Sequence, residues 1–414
     1  MLPDVARAWE YLQRVAQDLF ARYGYEPVYT PLFEHTEVFT RGIGEATDIV
    51  SKEMYTFLDR GNPPRSLTLR PEGTASVVRS ALEHNLTANG AQAKLYYAGP
   101  MFRYERPQKG RMRQFWQIGI EVLGAAEPSA DAEVITVLWR YFETLGIPAG
   151  SMRLLLNSMG DAACRPAYRD AIAGFIHSHA SNLCEECNRR AGTNPLRAFD
   201  CKNPGCVSVM AGAPLLRDEL CAECAEHYAD VKAYLDGLGI PYIEEPRLVR
   251  GLDYYTRTVF EIQVDAGLGS QNAIGGGGRY DRLMEAYNGP PTPGLGFALG
   301  FERTLLAMQA AGVEVPAPAR AEVFVARVDA SVAHAAFSLA QSLRDGGMAT
   351  ELDHQSRSLK SQFKQADRLG ARIVVVVGPD ELSEGEVTLR DMTTKEEKRV
   401  ALAAAPAAIA AMLG

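Results

Sequence analysis

Long apolar runs are the first thing missing from this 414-residue chain. None approaches the ~18–20 consecutive residues that a membrane span needs, so no membrane-spanning helix is expected. Met1-Leu-Pro-Asp-Val-Ala-Arg7 opens no apolar stretch ending in a small-residue cleavage site; export is not expected, and the cytoplasm is the expected compartment. An excess of positive charge is also missing. The formal net charge of −8 argues against non-specific coating of nucleic acid, which needs clustered Lys and Arg, but leaves room for an RNA partner gripped by local basic patches. No Gly-x4-Gly-Lys-Ser/Thr occurs, and Gly275-Gly-Gly-Gly278 does not follow the strand, fingerprint and helix order of a dinucleotide site. The seven histidines form no HExxH-like array and receive no catalytic role. Without an export signal, the seven cysteines are expected to be thiols or metal ligands and not a disulfide framework.

What is present reads as an ordinary globular chain, 47% hydrophobic and 23% charged, and too long for a single core. Val5, Trp9, Leu12, Val15, Ala16, Leu19 and Tyr23 predict an amphipathic helix ended by Gly24, followed by an extended segment to Pro31. Ser66–Leu69, Lys94–Tyr97, Met101–Tyr104 and Phe115–Val122 suit antiparallel strands. A helix over Ala130–Leu145 and a strand over Met152–Leu156 come next. Residues 160–240 hold all seven cysteines and read as a mostly helical insertion. Strand-like sequence returns at Leu248–Val264 and Gly275–Gly278, with a helix opening near Phe301. The Pro/Ala-rich run Val315–Arg320 predicts a linker. Beyond it strands and helices alternate: Glu322–Val328, Ser331–Asp345, Ala349–Asp353, Ser358–Leu369 and Arg372–Val377, the pattern of a small α/β domain. The expected domains are 1–318, interrupted by 160–240, and 319–414.

Arginine placement is the unusual feature. Arg103 sits in a predicted strand, and the following loop carries Arg106, Lys109, Arg111 and Arg113 around a glycine. Such a loop suits either a solvated basic hairpin or a triphosphate held without a P-loop, because guanidinium forks bind phosphate oxygens two at a time. Arg250 is a second isolated arginine in strand-like sequence, and burying it calls for an anionic partner. Glu72 and Thr74 stand in apolar company, and Phe115, Gln117 and Glu121 share one strand face by alternation. That face fits either a ligand cleft that stacks a base and binds an amine or imidazole, or a solvent-facing sheet with paired charges.

These residues together resemble class II aminoacyl-tRNA synthetases, and among them the histidyl-tRNA synthetase family, over nearly the whole chain. Tyr29–Glu45, Gly99–Gln117 and Gly294–Arg303 are similar to the three class II motifs. Leu248-Val-Arg250-Gly-Leu-Asp-Tyr-Tyr255, Gly276-Gly-Gly278-Arg-Tyr-Asp281 and Arg70-Pro-Glu72-Gly-Thr74 resemble segments typical of the histidine enzymes. The resemblance implies an α+β protein: a class II catalytic domain on an antiparallel sheet, a helical insertion, and a C-terminal α/β anticodon-binding domain. It implies a homodimeric enzyme that joins L-histidine to ATP, taken with Mg2+, and then to the 3′ end of tRNA(His). Glu72, Thr74 and Gln117 are then expected to hold the histidine ammonium, and Glu121 with Tyr254 and Tyr255 the imidazole. Arg103 and Arg250 are the expected catalytic groups at the carboxylate and α-phosphate. Arg111, Arg113, Phe115 and Arg303 complete the expected ATP site.

Arg357, Lys360, Lys364 and Arg368 fall at helical spacing, a pattern of either a solvated face or a contact with tRNA phosphates; the resemblance favours the second. Cys184-x2-Cys187 and Cys221-x2-Cys224 form a candidate structural zinc set, with reduced thiols as the other reading and a separation wider than the usual ~15–20 residues. The Lys/Arg-Gly-Thr segment that usually precedes Leu2-Pro3 in the family is not seen, a departure that bears on the edge of the dimer interface more than on the chemistry. The rival reading is a histidine-sensing regulatory subunit of ATP phosphoribosyltransferase, although such relatives usually lack the C-terminal domain and the arginines retained here.

Overall fold

The computed structural model describes residues 2–44, 47–107, 110–249, 251–264, 272–316 and 321–414. It divides into two units, Met1–Val315 and Pro316–Gly414. In the first, helix α1 (Pro3–Arg22) buries Leu12, Ala16, Leu19 and Phe20, the three-and-four spacing read from the sequence, and Gly24 at φ 76° lets the chain turn out of it. Short strands β1 (Glu26–Pro27) and β2 (Phe33–His35), helix α2 (Thr36–Ile43), and strands β3 (Thr56–Leu58) and β4 (Ser66–Leu69) follow. Strands β2, β4 and β3 make a small antiparallel sheet. Helix α3 (Thr74–Glu83) leads to β5 (Ala93–Phe102), one continuous strand where two were expected. Val28 N–H bonds Tyr96 O and Phe102 N–H bonds Arg70 O, so the even positions of β5 face its edge. Pro100 therefore breaks no ladder bond to the next strand. Arg103 falls just past the strand end, although its N–H still bonds Arg113 O at 2.9 Å.

Strand β6 (Gln114–Leu123), helix α4 (Pro128–Thr144) and strand β7 (Met152–Ser158) precede the insertion, which contains α5 (Arg165–Ser178), α6 (Glu185–Thr193), α7 (Pro204–Met210) and α8 (Ala222–Gly237). All seven cysteines are free thiols. The expected pairing of Cys184 and Cys187 with Cys221 and Cys224 is wrong. Cys184 and Cys187 lie within 4.8 Å of Cys201 and Cys206, whereas Cys221 and Cys224 meet Asp161 and Cys164 over the same span. Each Cys-x2-Cys begins its own helix, α6 or α8, and the chain folds a nearer partner against each.

After β8 (Ile243–Glu244) the run from Gly251 to Tyr255 is turn and loop and not the expected strand, and Asp253 N–H bonds Ile43 O at 3.2 Å. Strands β9 (Thr256–Val264) and β10 (Ala273–Arg279), helix α9 (Leu283–Ala286), strand β11 (Gly294–Gly300) and helix α10 (Phe301–Ala310) complete the unit. Among the described residues, eight strands form one sheet in the order β1-β5-β6-β11-β10-β9-β7-β8. The six central strands are antiparallel, with β1 and β8 added in parallel at the edges.

One face of this sheet, with Ile118, Ile120, Phe260, Ile262, Leu295, Phe297 and Leu299, packs under α1 and α4 into the main core. Helix α8 of the insertion joins that core through Tyr228, Val231 and Leu235. A fully buried ion pair fastens the layers: Arg279 Nε lies 3.1 Å from both oxygens of Asp131 on α4, and His227 Nε2 of α8 lies 3.3 Å from Asp131 Oδ1. Removing one member of such a pair typically costs ~3–5 kcal/mol, because the other charge is left buried alone.

The second unit contains β12 (Val323–Arg327), α11 (Ala333–Asp345), β13 (Thr350–Leu352), α12 (Leu359–Leu369) and β14 (Ile373–Val377), in the order the alternation predicted. A short helix α13 (Pro379–Ser383), strands β15 (Glu386–Asp391) and β16 (Glu397–Ala401), and helix α14 (Ala405–Leu413) follow. The sheet runs β13-β12-β14-β15-β16, parallel in the first three and antiparallel thereafter. Helix α12 starts only at Leu359, so Arg357 is not on it. Arg357 lies ahead of the helix, its Nη1 3.6 Å from Asp353 Oδ1, and the exposed basic stripe is Lys360, Lys364 and Arg368.

Candidate functional site

The face of the large sheet opposite the main core is nearly bare in its middle, and alternation explains why. In β11, Leu295, Phe297 and Leu299 point into the core, leaving Gly294, Gly296, Ala298 and Gly300 for the other side. The register sets Gln117 beside Gly300, Gly119 beside Ala298 and Glu121 beside Gly296, and it sets Gly276 and Gly278 of β10 beside Ala298 and Gly296. Three strands thus give a floor with little side-chain bulk, a cleft wide enough for a ligand to lie on backbone. A Cβ on Gly296 would collide with the Glu121 carboxylate, so this glycine is required for the acid to fit.

One end of the cleft holds buried acids and hydroxyls. Glu72 accepts hydrogen bonds from the N–H groups of Thr74 (2.7 Å) and Ala75 (2.9 Å) at the start of α3, an arrangement that suits a carboxylate at a helix N-terminus. Thr74 Oγ1 donates to Glu121 Oε1 at 2.7 Å, and Tyr280 OH donates to Glu121 Oε2. Tyr254 packs edge-on against Tyr280 with ring centres 5.5 Å apart, and Tyr255 lies 4.8 Å from Tyr254. Burial pushes the Glu121 carboxyl up to about 8, and the nearby Glu72 adds to the shift against the bonds from Thr74 and Tyr280. Burial also raises Glu72, with its backbone bonds opposing.

The other end is cationic. Arg103 Nε donates to Pro71 O at 2.9 Å, and its guanidinium sits 5.3 Å from the centre of the Phe115 ring. Glu105 stands between two arginines, 2.8 Å from Arg111 Nη1 and 4.0 Å from Arg103 Nη1. Arg303, in the first turn of α10, donates through Nη1 to Ala273 O at 3.1 Å. Burial and then the repulsion of Arg111 lower its affinity for a proton, a cost that an anion in the cleft would relieve. Glu302 accepts from Trp116 N–H at 3.0 Å, tying α10 to β6.

Glu72, Thr74, Arg103, Arg111, Phe115, Gln117, Tyr254, Tyr255 and Arg303 therefore line one cleft, with Glu121 bonded to Thr74 beneath its floor. Arg113 is not among the lining residues; it is exposed and stacks 4.4 Å over Tyr104. Arg250 and Lys109 lie outside the described residues. Sequence reasoning missed Tyr280, Glu105 and Glu302. Tyr280 closes the glycine segment of β10, and its place between Gly278 and the polar Asp281 was the available signal. The insertion reaches the same wall: Arg165 Nη1 donates to Tyr255 O at 2.8 Å, and Asn194 Nδ2 donates to Asp253 Oδ1 at 2.8 Å.

Residues 1–304 match the family model described as histidyl-tRNA synthetase, and residues 322–412 match that of the anticodon binding domain. A histidine–tRNA ligase of Desulforamulus reducens is 48% identical over 402 residues, 97% of this chain and 95% of the relative. One from an Anaeromyxobacter species is 52% identical over 399 residues, 96% and 94% of the two chains. Among solved structures, apo histidyl-tRNA synthetase of S. aureus superposes with a TM-score of 0.83 at 38% identity, covering 99% of this chain and 97% of that one. A Bacillus halodurans chain described as an ATP phosphoribosyltransferase regulatory subunit/histidyl-tRNA synthetase shares the fold at 18% identity and a TM-score of 0.63. The full-length likeness to the ligases does not favour the regulatory reading.

Glu121 carries a pH signature. Its folded value near 8 stands above the ordinary 4.5, so between these values the folded chain keeps a proton that the unfolded chain releases. The stability it contributes is full below about pH 4.5 and is lost as pH rises through about 8. Glu121→Gln, which keeps the shape and cannot ionise, is expected to gain on the parent in melting temperature as pH is raised from about 5 to about 8. Calorimetry of the unliganded pair checks this; a difference that does not change with pH contradicts it.

Proposed function

The chain belongs to the histidyl-tRNA synthetase family, and from that premise we propose how its cleft activates L-histidine with ATP and passes it to the 3′ end of tRNA. The activity is that of an aminoacyl-tRNA ligase specific for histidine. The observation that carries the residue assignments is the juxtaposition of two ends on one bare floor: the buried Glu121–Thr74–Tyr280 group and the arginines 103, 111 and 303.

Glu72, Thr74 and Gln117 hold the histidine ammonium, and Glu121 with Tyr254, Tyr255 and Tyr280 surrounds the imidazole. A site whose buried polar groups are satisfied by a ring N–H rejects analogues that leave them unpaired, by up to ~10⁴–10⁵-fold. The amino-acid carboxylate then points toward Arg103. Phe115 stacks on adenine, and Arg111 and Arg303 take the phosphate tail, with Arg250 assigned beside the α-phosphate on the strength of its motif alone. ATP enters as its Mg2+ complex, whose ion offsets phosphate charge; Glu261 and Glu302 line the cleft and are oxygen donors of the kind this ion takes.

A histidine carboxylate oxygen attacks the α-phosphorus in line, the bond to the bridging oxygen breaks, and pyrophosphate leaves with its electron pair. The terminal ribose hydroxyl of tRNA then attacks the activated carbonyl and AMP departs. No side-chain nucleophile is needed; fixed guanidinium groups and orientation supply the catalysis. The exposed stripe Lys360, Lys364 and Arg368 of the C-terminal unit contacts tRNA phosphates. Two copies pair through the exposed apolar side chains around the small sheet, among them Tyr29, Leu32, Phe33, Phe57 and Leu58, and the enzyme acts in the cytoplasm.

ATP–pyrophosphate exchange measured with each of the twenty amino acids is expected to depend on histidine alone, and Arg103→Gln is expected to lower its turnover by ~10²–10³-fold. Comparable exchange with another amino acid, or an unchanged rate in the variant, overturns the reading. The triple variant Lys360→Ala, Lys364→Ala, Arg368→Ala is expected to leave exchange intact, weaken tRNA charging and flatten its dependence on salt. Loss of exchange with the salt slope unchanged refutes the phosphate contact.

A further inference from the structure

The insertion holds a chemistry that histidine activation does not use. Its seven thiols are gathered, with one carboxylate, into two sets of four donors: Cys184, Cys187, Cys201 and Cys206, and Asp161, Cys164, Cys221 and Cys224. Within each set every donor atom lies within 4.8 Å of the others. We propose that each set binds one structural zinc ion, so that the chain carries two.

The spacing matches a mononuclear tetrahedral site. Zn–S bonds of ~2.3 Å place two sulfurs about 3.8 Å apart. Cys184 Sγ and Cys201 Sγ are 3.9 Å apart, as are Cys164 Sγ and Cys224 Sγ. These separations are far from the ~2.05 Å of a disulfide. In the second set Asp161 Oδ1 lies 3.6 Å from Cys164 Sγ and 3.9 Å from Cys221 Sγ, as a fourth, oxygen ligand should. Both sets are fully ligated by protein, the pattern of structural and not catalytic zinc.

The surroundings favour thiolates. Cys184 opens α6, Cys221 opens α8 and Cys164 opens α5, so three helix N-termini direct their positive ends at sulfur. Cys184 N–H points at Cys206 Sγ and Asp161 N–H at Cys164 Sγ, each at 3.2 Å. Arg257 Nη2 lies 3.4 Å from the free oxygen Oδ2 of Asp161 and orients it.

The ions fasten the insertion at two points. The first ties the start of α6 to that of α7; the second ties the exit of β7 to the start of α8. Arg165, next to Cys164, is the residue that bonds Tyr255 O, so the second ion also braces the wall of the cleft.

The full-length protein, purified without chelator, is expected to carry two zinc ions per chain by elemental analysis. Cobalt substitution is expected to give the near-ultraviolet thiolate-to-metal band. Cys201→Ser and Cys224→Ser are each expected to lower the content to about one, and the double variant to none. The unaltered protein decides the matter even where a variant does not fold. A chain that holds no zinc after reconstitution and whose thiols all react at once overturns the proposal. So does a stoichiometry of one, including one lost in Cys184→Ser and retained in Cys201→Ser and Cys164→Ser.

Discussion

The catalytic unit depends on keeping one carboxylate, that of Glu121, dry and bonded in the middle of a sheet. A buried acid is costly unless its oxygens are satisfied, and here Thr74 and Tyr280 each supply a hydroxyl donor. The two donors come from opposite directions, one from the start of α3 and one from the end of β10. Bringing them together requires β6, β11 and β10 to be neighbours in register. It also requires a glycine at 296, because any side chain there would displace the acid.

The same alternation that places Glu121 clears its surroundings. Large residues of β11 enter the core beneath α4, and the small ones turn toward the cleft, so core packing and ligand space are written by opposite parities of one strand. The buried Arg279–Asp131 pair holds the end of β10 to α4 immediately before Tyr280. A displaced Arg279 would carry Tyr280 with it. Of the arginines at the far end, Arg103 lies just past the end of β5, Arg111 in the connection to β6, and Arg303 in the first turn of α10.

Much of this was legible in the sequence, and the reasons are local. Period-two alternation marked Phe115, Gln117 and Glu121 as one face, and helical spacing marked α1 and α4. Arg103 stood out as a cation in apolar surroundings. What escaped depends on tertiary neighbours. Two strands, Lys94–Tyr97 and Met101–Tyr104, were expected where β5 is one, because an edge that the sequence does not reveal lets the strand run through Pro100. The two Cys-x2-Cys pairs looked like one set because nothing local shows that Asp161 and Cys164 fold back onto α8. Arg357 looked continuous with the basic stripe until Asp353 claimed it. Tyr280 and Glu302 were missed because each acts through a partner far along the chain, and Glu105 because its pairing with Arg111 depends on how the intervening loop folds back. Strand β16 carries exposed charges that blur its alternation.

The central claim is that dry polar groups around Glu121 read the ring nitrogens of the ligand. Calorimetric titration of the intact protein with L-histidine and with thienylalanine, whose ring has similar size but no N–H, tests it most directly. Binding of the thiophene analogue is expected to be weaker by ~10³-fold or more, since it desolvates the same polar group without offering a ring nitrogen to it. Affinities within a few-fold of one another would contradict it.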